Sequence, residues 1–292
     1  MITIWLRAIR IRFLFASIIA VINGLTVSFW KNGAFDITYA ILTCGGVICL
    51  HASVDLLNDY WDYRRGIDKV TKRTKFSGGT GILPENLLKP KTVYVAGISF
   101  LLLGSLIGVY FVAIRGITIA IILAFAILSI YFYSIKIVNV GLGELFVAIK
   151  SAMIVIGTFY VQTGLIDMAA LYIGIIVGTL SASVLFVNSF PDYDADRDNG
   201  RRTLVIILGK KRGAKLLPLF VIVSYSLILI GILLGYTKLY SLISFISIPI
   251  AVSAVRELKE NSQKVEKLVP AMTMTLLYSR ITGISLAVSL LL

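Results

Sequence analysis

Residues 37–62, ITYAILTCGGVICLHASVDLLNDYWD, pass without a break from an apolar run into amides and carboxylates. A helix needs about 20 apolar residues to cross the hydrocarbon layer, and the run from 37 to 57 supplies them. It ends in Asn58-Asp59-Tyr60-Trp61-Asp62, with Asp68 beyond. His51, Asp55, Asn58 and Asp62 are spaced 4, 3 and 4 apart, so a continuous helix puts them on one stripe. Carboxylates are costly beside hydrocarbon, and several at the end of a membrane helix point to a functional site. A second passage of this kind reads Asn188-Ser189-Phe190-Pro191-Asp192, then Asp194, Asp196 and Asp198. Asn188, Asp192 and Asp196 share a stripe if the helix continues, but Pro191 removes a backbone donor and distorts it.

The rest of the chain explains where these clusters sit. It is 58% hydrophobic with mean hydropathy +0.92 and 15% charged, against about 25% charged in soluble domains. Apolar runs mark nine candidate spans at 13–30, 37–57, 92–112, 116–134, 141–161, 168–190, 216–235, 239–255 and 271–291. The expected fold is an all-α integral membrane protein, nine transmembrane helices around a central cavity, in a single domain over 1–292. Segments 58–91 and 191–215 are its expected active-site loops. No cleavable signal peptide is expected, because the first apolar run lacks a small-residue cleavage site. Cys44 and Cys49 lie five residues apart on different faces of one span, which favours packing over a disulfide or metal pair.

The net charge of +13 is distributed by side of the membrane. With the N-terminus in the cytoplasm, 23 Lys and Arg fall in inner segments, and only Lys31, Arg115 and Lys238 fall outside. That asymmetry is the positive-inside pattern and turns both acidic clusters to the cytoplasm. Topology and anionic lipid account for the basic excess; no soluble domain remains to bind nucleic acid, and the expected surroundings are the bilayer of the cell membrane. Oligomeric state is not readable from the sequence.

The clusters also share spacing. Asn58-x3-Asp62-x5-Asp68-x4-Arg73-Thr74 aligns with Asn188-x3-Asp192-x5-Asp198-x3-Arg202-Thr203, either as a trace of related halves, spans 1–4 and 5–8, or by chance. Opposed Asn and Asp oxygens in basic surroundings suit Mg²⁺ with a diphosphate, since Mg²⁺ takes a few carboxylates and leaves its other positions to water and phosphate. Lys69, Lys72, Arg73 and Lys75 precede Ser77-Gly78-Gly79-Thr80-Gly81, a segment that reads either as a flexible turn or as backbone donors for an anion. In the fifth span Glu144, Ser151, Thr158 and Gln162 fall on nearly one line. Glu144 there either faces a polar cavity or pairs with a cation such as Arg280 or Lys150.

These residues resemble the UbiA superfamily of intramembrane prenyltransferases. Asn58-x3-Asp62 with Asp68 is similar to its first Asp-rich motif, and Asp192-x3-Asp196 to its second. Gly141-Leu142-Gly143-Glu144-Leu145-Phe146, Gly157-Thr158-Phe159-Tyr160-Val161-Gln162-Thr163-Gly164 and Asp196-Arg197-Asp198-Asn199-Gly200 resemble most closely the 1,4-dihydroxy-2-naphthoate prenyltransferase type. The six-residue step from Asp62 to Asp68 is longer than the commoner four of the superfamily. The resemblance implies Mg²⁺ held by Asn58, Asp62, Asp192, Asp196 and Asp68. It implies a prenyl diphosphate contacted by Arg73, Lys72, Lys136, Asn188, Arg12 and Tyr133. Asp62, Asp192, Lys136 and Glu144 are the implied catalytic residues, with Glu144 orienting or deprotonating an aromatic quinone precursor. Tyr131, Phe132, Tyr133 and Tyr160 are candidate tunnel aromatics that stabilise an allylic cation. Within the superfamily, the alternative acceptors are geranylgeranylglyceryl phosphate and a haem or tetrapyrrole. From another class, a secondary transporter or divalent-cation carrier fits two acidic clusters, although such sites lie near the bilayer midplane.

Overall fold

Helix ends in this protein are set by short polar caps and glycines rather than by loss of apolar character. The computed structural model describes residues 1–67, 73–133 and 141–292, without the side chains of 132 and 133. A short α1 (Ile2–Ala8) leads into α2 (Ile11–Asn32), which Gly33 ends in the left-handed conformation at φ 62°. The carboxylate of Asp36 accepts the Tyr39 N–H at 2.9 Å and starts α3 (Ile37–Arg65). Its 29 residues extend about 43 Å at 1.5 Å per residue, longer than the ~30 Å hydrocarbon core. The turns bearing Asn58 and Asp62 therefore reach the membrane surface.

After the loop, α4 (Pro90–Arg115) opens on proline and is followed by α5 (Ile117–Tyr133) and α6 (Gly143–Thr163). Asp167 caps α7 (Met168–Asn188) by accepting the Ala169 N–H at 2.7 Å. The 191–215 segment folds into three short helices, α8 (Tyr193–Asp198), α9 (Leu204–Leu208) and α10 (Lys210–Gly213). Then come α11 (Leu217–Leu233), a 3-10 stretch (Leu239–Ser247) continuous with α12 (Ile248–Asn261), and α13 (Val269–Leu291). Among the described residues eight helical segments are long and apolar enough to cross a membrane. The fourth expected span coincides with α5, a shorter apolar helix.

Small residues let α2 and α7 close onto α6. A Cβ at Gly178 would meet the Ala148 carbonyl oxygen at 2.5 Å, and one at Gly24 the Val155 carbonyl oxygen at 2.7 Å. Such close backbone approach drives helix association where lipid removes the hydrophobic incentive. Around this contact Val155, Phe159, Ile173, Ile176 and Tyr278 are buried, while Leu106, Ile121, Ile222, Leu233 and Ile246 are exposed on the bundle exterior, as lipid-facing residues are. Cys44 and Cys49 are unbridged and half-buried.

At the end of the bundle away from the acidic clusters, Phe111, Ile119 and Val161 form an apolar cluster with Leu42, Ile107 and Tyr160. A polar clasp covers it. The Gln162 amide accepts the Asp36 N–H at 2.7 Å and donates to the Asp36 carbonyl at 3.1 Å, and Arg115 donates to the Val161 and Gln162 carbonyls at 2.8 and 3.2 Å. Gln162 thus ties helix ends together and does not line the cavity with Glu144, Ser151 and Thr158.

Candidate functional site

Between α2, α3, α4, α5, α6, α7 and α13 lies a cavity of about 430 Å³. Its walls are largely apolar, with Phe111, Phe125 and Phe146 among them, and both acidic clusters stand at its mouth. The α3 stripe is as the spacing requires: His51, Asp55, Asn58 and Asp62 all line the cavity. Asp59, one residue off the stripe, turns the other way and is held by Arg10 at 2.5 Å and by the Thr80 hydroxyl.

The second cluster differs from a continuous helix. α7 ends at Asn188, the chain turns through Pro191, and α8 begins at Tyr193. The proline's missing N–H falls in that turn, so Asn188 does not share a helix with Asp192 and Asp196, yet all three line the cavity. Asp194 and Asp198 point outward, 61% and 66% exposed, where they pair with Lys210 and Arg197 at 2.9 and 3.1 Å. Alternation around one short turn therefore separates the inward carboxylates from the outward ones.

Arg201 joins the two clusters. Its guanidinium donates to Asp196 at 3.0 Å and to Asp62, with both carboxylates buried and Arg201 nearly so. Gly200, at φ 77°, turns the chain after α8 so that the Arg201 N–H reaches the Asp196 carbonyl at 2.9 Å. The sequence reading passed over this arginine. Its signal was the need for a cation between two clusters of buried carboxylates, next to a helix-ending glycine. The glycine-rich segment reaches the same place, because the Gly78 N–H donates to Asp192 at 3.3 Å. Its backbone does bind an anion, the carboxylate of the opposite cluster.

Burial, reinforced by Asp196, pushes the Asp192 carboxyl up to about 7. Burial also raises Asp196, with Arg201 opposing the shift. For Arg201 burial acts downward, but Asp62 and Asp196 outweigh it and hold the guanidinium protonated.

Other expected residues lie elsewhere. Arg73 is on Glu85, which also accepts from Arg7 at 2.7 and 2.9 Å; neither arginine lines the cavity. The nearest carboxylate, Glu85, takes the Arg73 guanidinium. Arg12 is exposed, and its backbone carbonyl accepts from Arg280. Glu144 is buried and lines the cavity; among the described residues it has no ion pair, so neither Lys150 nor Arg280 neutralises it. Tyr131 is half exposed, and the Tyr160 hydroxyl donates to the Arg115 carbonyl at 3.4 Å, so phenylalanines take the lining role expected of these tyrosines. Asp68, Lys72 and Lys136 lie outside the described residues, as do the side chains of Phe132 and Tyr133.

Among the described residues no three His, Cys, Asp or Glu groups already converge on one point as a metal cage would. The donor chemistry nonetheless fits Mg²⁺, which needs few protein ligands. Asn58 and Asp62 face Asp196 and Asp192 across the mouth, and one Asp192 oxygen is buried with no hydrogen-bond partner. Opposed hard oxygen donors over a long apolar cavity define a membrane enzyme for a substrate with a polyanionic head and a hydrocarbon tail.

The chain belongs to the UbiA prenyltransferase family, which it matches over residues 17–277. It is accordingly a membrane-embedded prenyl-transferring enzyme. It is 26% identical over 246 residues to the 1,4-dihydroxy-2-naphthoate octaprenyltransferase of Bacillus subtilis, covering 83% of this chain and 78% of that one. The UbiA homologue of Aeropyrum pernix has the same fold, with TM-score 0.71 and 16% identity over 94% of this chain and 97% of that one. So does the Archaeoglobus fulgidus homologue bound to DMAPP and Mg²⁺, with TM-score 0.63 and 14% identity over 97% and 99%.

Proposed function

We propose that this protein transfers a prenyl group from a prenyl diphosphate to a hydroxynaphthoate-like quinone precursor, with loss of diphosphate and carbon dioxide. The observation that carries the reading is the pair of acidic clusters facing each other over an apolar, phenylalanine-lined cavity with Glu144 in its wall. The naphthoate prenyltransferase among its relatives supports the acceptor class and a role in menaquinone-type quinone synthesis, and the Mg²⁺-bound homologue supports the metal.

In this reading Asn58, Asp62, Asp192, Asp196 and Asp68 would hold Mg²⁺, and Asn188 and Lys136 would contact the donor. When bound, the metal neutralises the charge that develops on the departing diphosphate. The chain's own part is positional. The acidic mouth keeps the diphosphate at the surface, and the apolar walls exclude water from the allylic carbon as its C–O bond breaks. Phenylalanine faces stabilise the positive charge. The acceptor ring carbon then forms the new C–C bond, and the carboxyl group leaves as carbon dioxide, its bonding electrons restoring aromaticity. Glu144 accepts a hydrogen bond or proton from a ring hydroxyl and so raises the nucleophilicity of the carbon. The whole chain acts as one domain of nine spans, α5 included, with the N-terminus and the site on the cytoplasmic side, as the basic residues indicate.

The test is incubation of purified protein with Mg²⁺, a prenyl diphosphate and a panel of acceptors. Product is expected with dihydroxynaphthoate, and Glu144→Gln should release diphosphate slowly while transferring poorly to the ring. Prenylation of a glycerol-ether alcohol with no turnover of aromatic acceptors refutes the acceptor assignment.

A further inference from the structure

Below the acidic mouth the cavity holds a second set of polar groups that the reaction above leaves unused. Lys150 of α6, His51 and Asp55 of α3 and Ser17 of α2 all line it. Asp55 precedes Asp62 by seven residues and Lys150 follows Glu144 by six, which places both about 9–11 Å further along their helices than those carboxylates. The Ser17 hydroxyl lies 2.6 Å from His51 Nδ1. With the Nδ1 accepting that hydroxyl, the Nε2–H faces Asp55, whose carboxylate is 3.6 Å away. That distance is too long for a hydrogen bond, and the same Asp55 oxygen is buried without a partner. Lys150 is close enough to Asp55 to interact electrostatically, yet among the described residues no carboxylate stands within ion-pair distance of it.

Charged side chains inside a membrane are costly, and a purely structural pair closes to contact to recover that cost. Here an ammonium and a carboxylate from different helices are held apart across a cavity, with one acceptor oxygen left over. The gap suits a ligand carrying an anionic group beside a hydroxyl. Its depth below the diphosphate end is about the length of a bicyclic aromatic acid.

We propose that Lys150 and Asp55, braced by His51 and Ser17, form the acceptor subsite. Lys150 binds the ring carboxylate and Asp55 accepts from the neighbouring hydroxyl. The inference rests on the hydroxynaphthoate reading and adds to it the residues that select a carboxylated acceptor. A carboxylate pinned in one place fixes the ring against rotation, as a purely apolar pocket does not.

Binding and turnover in the full-length protein, reconstituted in nanodiscs, test it separately. By calorimetry, 1,4-dihydroxy-2-naphthoate is expected to bind wild type at least about tenfold more tightly than its methyl ester, the effect of one charge-assisted hydrogen bond. Lys150→Met should abolish that preference while changing the affinity for 1,4-dihydroxynaphthalene, which lacks the carboxylate, by less than about twofold. Lys150→Arg should restore it, and Asp55→Asn should weaken both ligands. Acid and ester bound equally by wild type overturns the proposal without any variant having to fold. So does a Lys150→Met loss that is the same for both ring compounds. Binding of naphthoate through Lys150 without prenyl transfer refutes the reaction and upholds the subsite; transfer with affinity indifferent to Lys150 does the reverse.

Discussion

Replacing Arg201 with methionine removes the one cation seen to touch both inward-facing clusters among the described residues. The change leaves Asp62 and Asp196, each 8% exposed at the side chain, facing one another with nothing positive between them. Two charge-assisted hydrogen bonds are lost, worth about 1.5–3 kcal/mol each. Breaking a buried pair by removing one partner costs about 3–5 kcal/mol. Protonation of Asp196, already favoured by burial, relieves part of the repulsion. The expected loss is therefore about 3 kcal/mol at neutral pH in metal-free protein. Mg²⁺ should reverse the order of events, because a divalent ion supplies the missing charge and no longer competes with the guanidinium. Thermal unfolding in detergent, with EDTA and with Mg²⁺, reads both effects. Arg201→Met is expected to melt well below wild type in EDTA and to gain more from Mg²⁺ than wild type does. Equal melting in EDTA, or a deficit that Mg²⁺ leaves unchanged, refutes the bridging role.

Asp62→Asn and Asp192→Asn should each abolish turnover in protein that still folds, and full activity of either variant, or of wild type in EDTA, contradicts the metal reading. Asp192 is raised by burial from near 3.8 to about 7, so the native state keeps a proton that the unfolded chain gives up. Its contribution to stability is complete below about pH 4 and is lost as pH rises through about 7; unfolding of metal-free protein across that window checks the sign. Because Mg²⁺ needs the carboxylate, its affinity should weaken below pH 7, as titration calorimetry can measure. For topology, single cysteines at Asp198 and Gln263, both exposed, should label only from the cytoplasmic side, and one at Asn32 only from outside. Opposite behaviour of Asp198 and Gln263 removes the proposed orientation.

The bundle and the α3 half of the site were legible because each rests on a single periodicity. Long apolar runs define the spans, and steps of four and three residues set His51, Asp55, Asn58 and Asp62 on one stripe. What escaped depends on where the chain turns. Pro191 ends α7 early, and only the geometry of the short α8 decides that Asp192 and Asp196 look inward while Asp194 and Asp198 look out. Arg201 was missed because its partner Asp62 lies 139 residues away, a distance no local pattern spans. The basic character of Arg73 was readable, but its pairing with Glu85 was not. Gln162 shares a helical line with Glu144, yet lies so far along it that it reaches the opposite end of the bundle.

The apolar far end of the bundle has a consequence for the membrane as an insulator. The cavity carries Asp55, Lys150 and Glu144 within a span of the bilayer, groups that in a pump would relay protons. Beyond them stand Phe111, Ile119 and Val161, which offer nothing for a proton or water wire to hop along, and then the Arg115–Gln162–Asp36 clasp, whose polar atoms are spent on backbone partners. A catalyst whose ionisable groups are backed by such an apolar layer can keep their chemistry inside a charged membrane without draining its voltage.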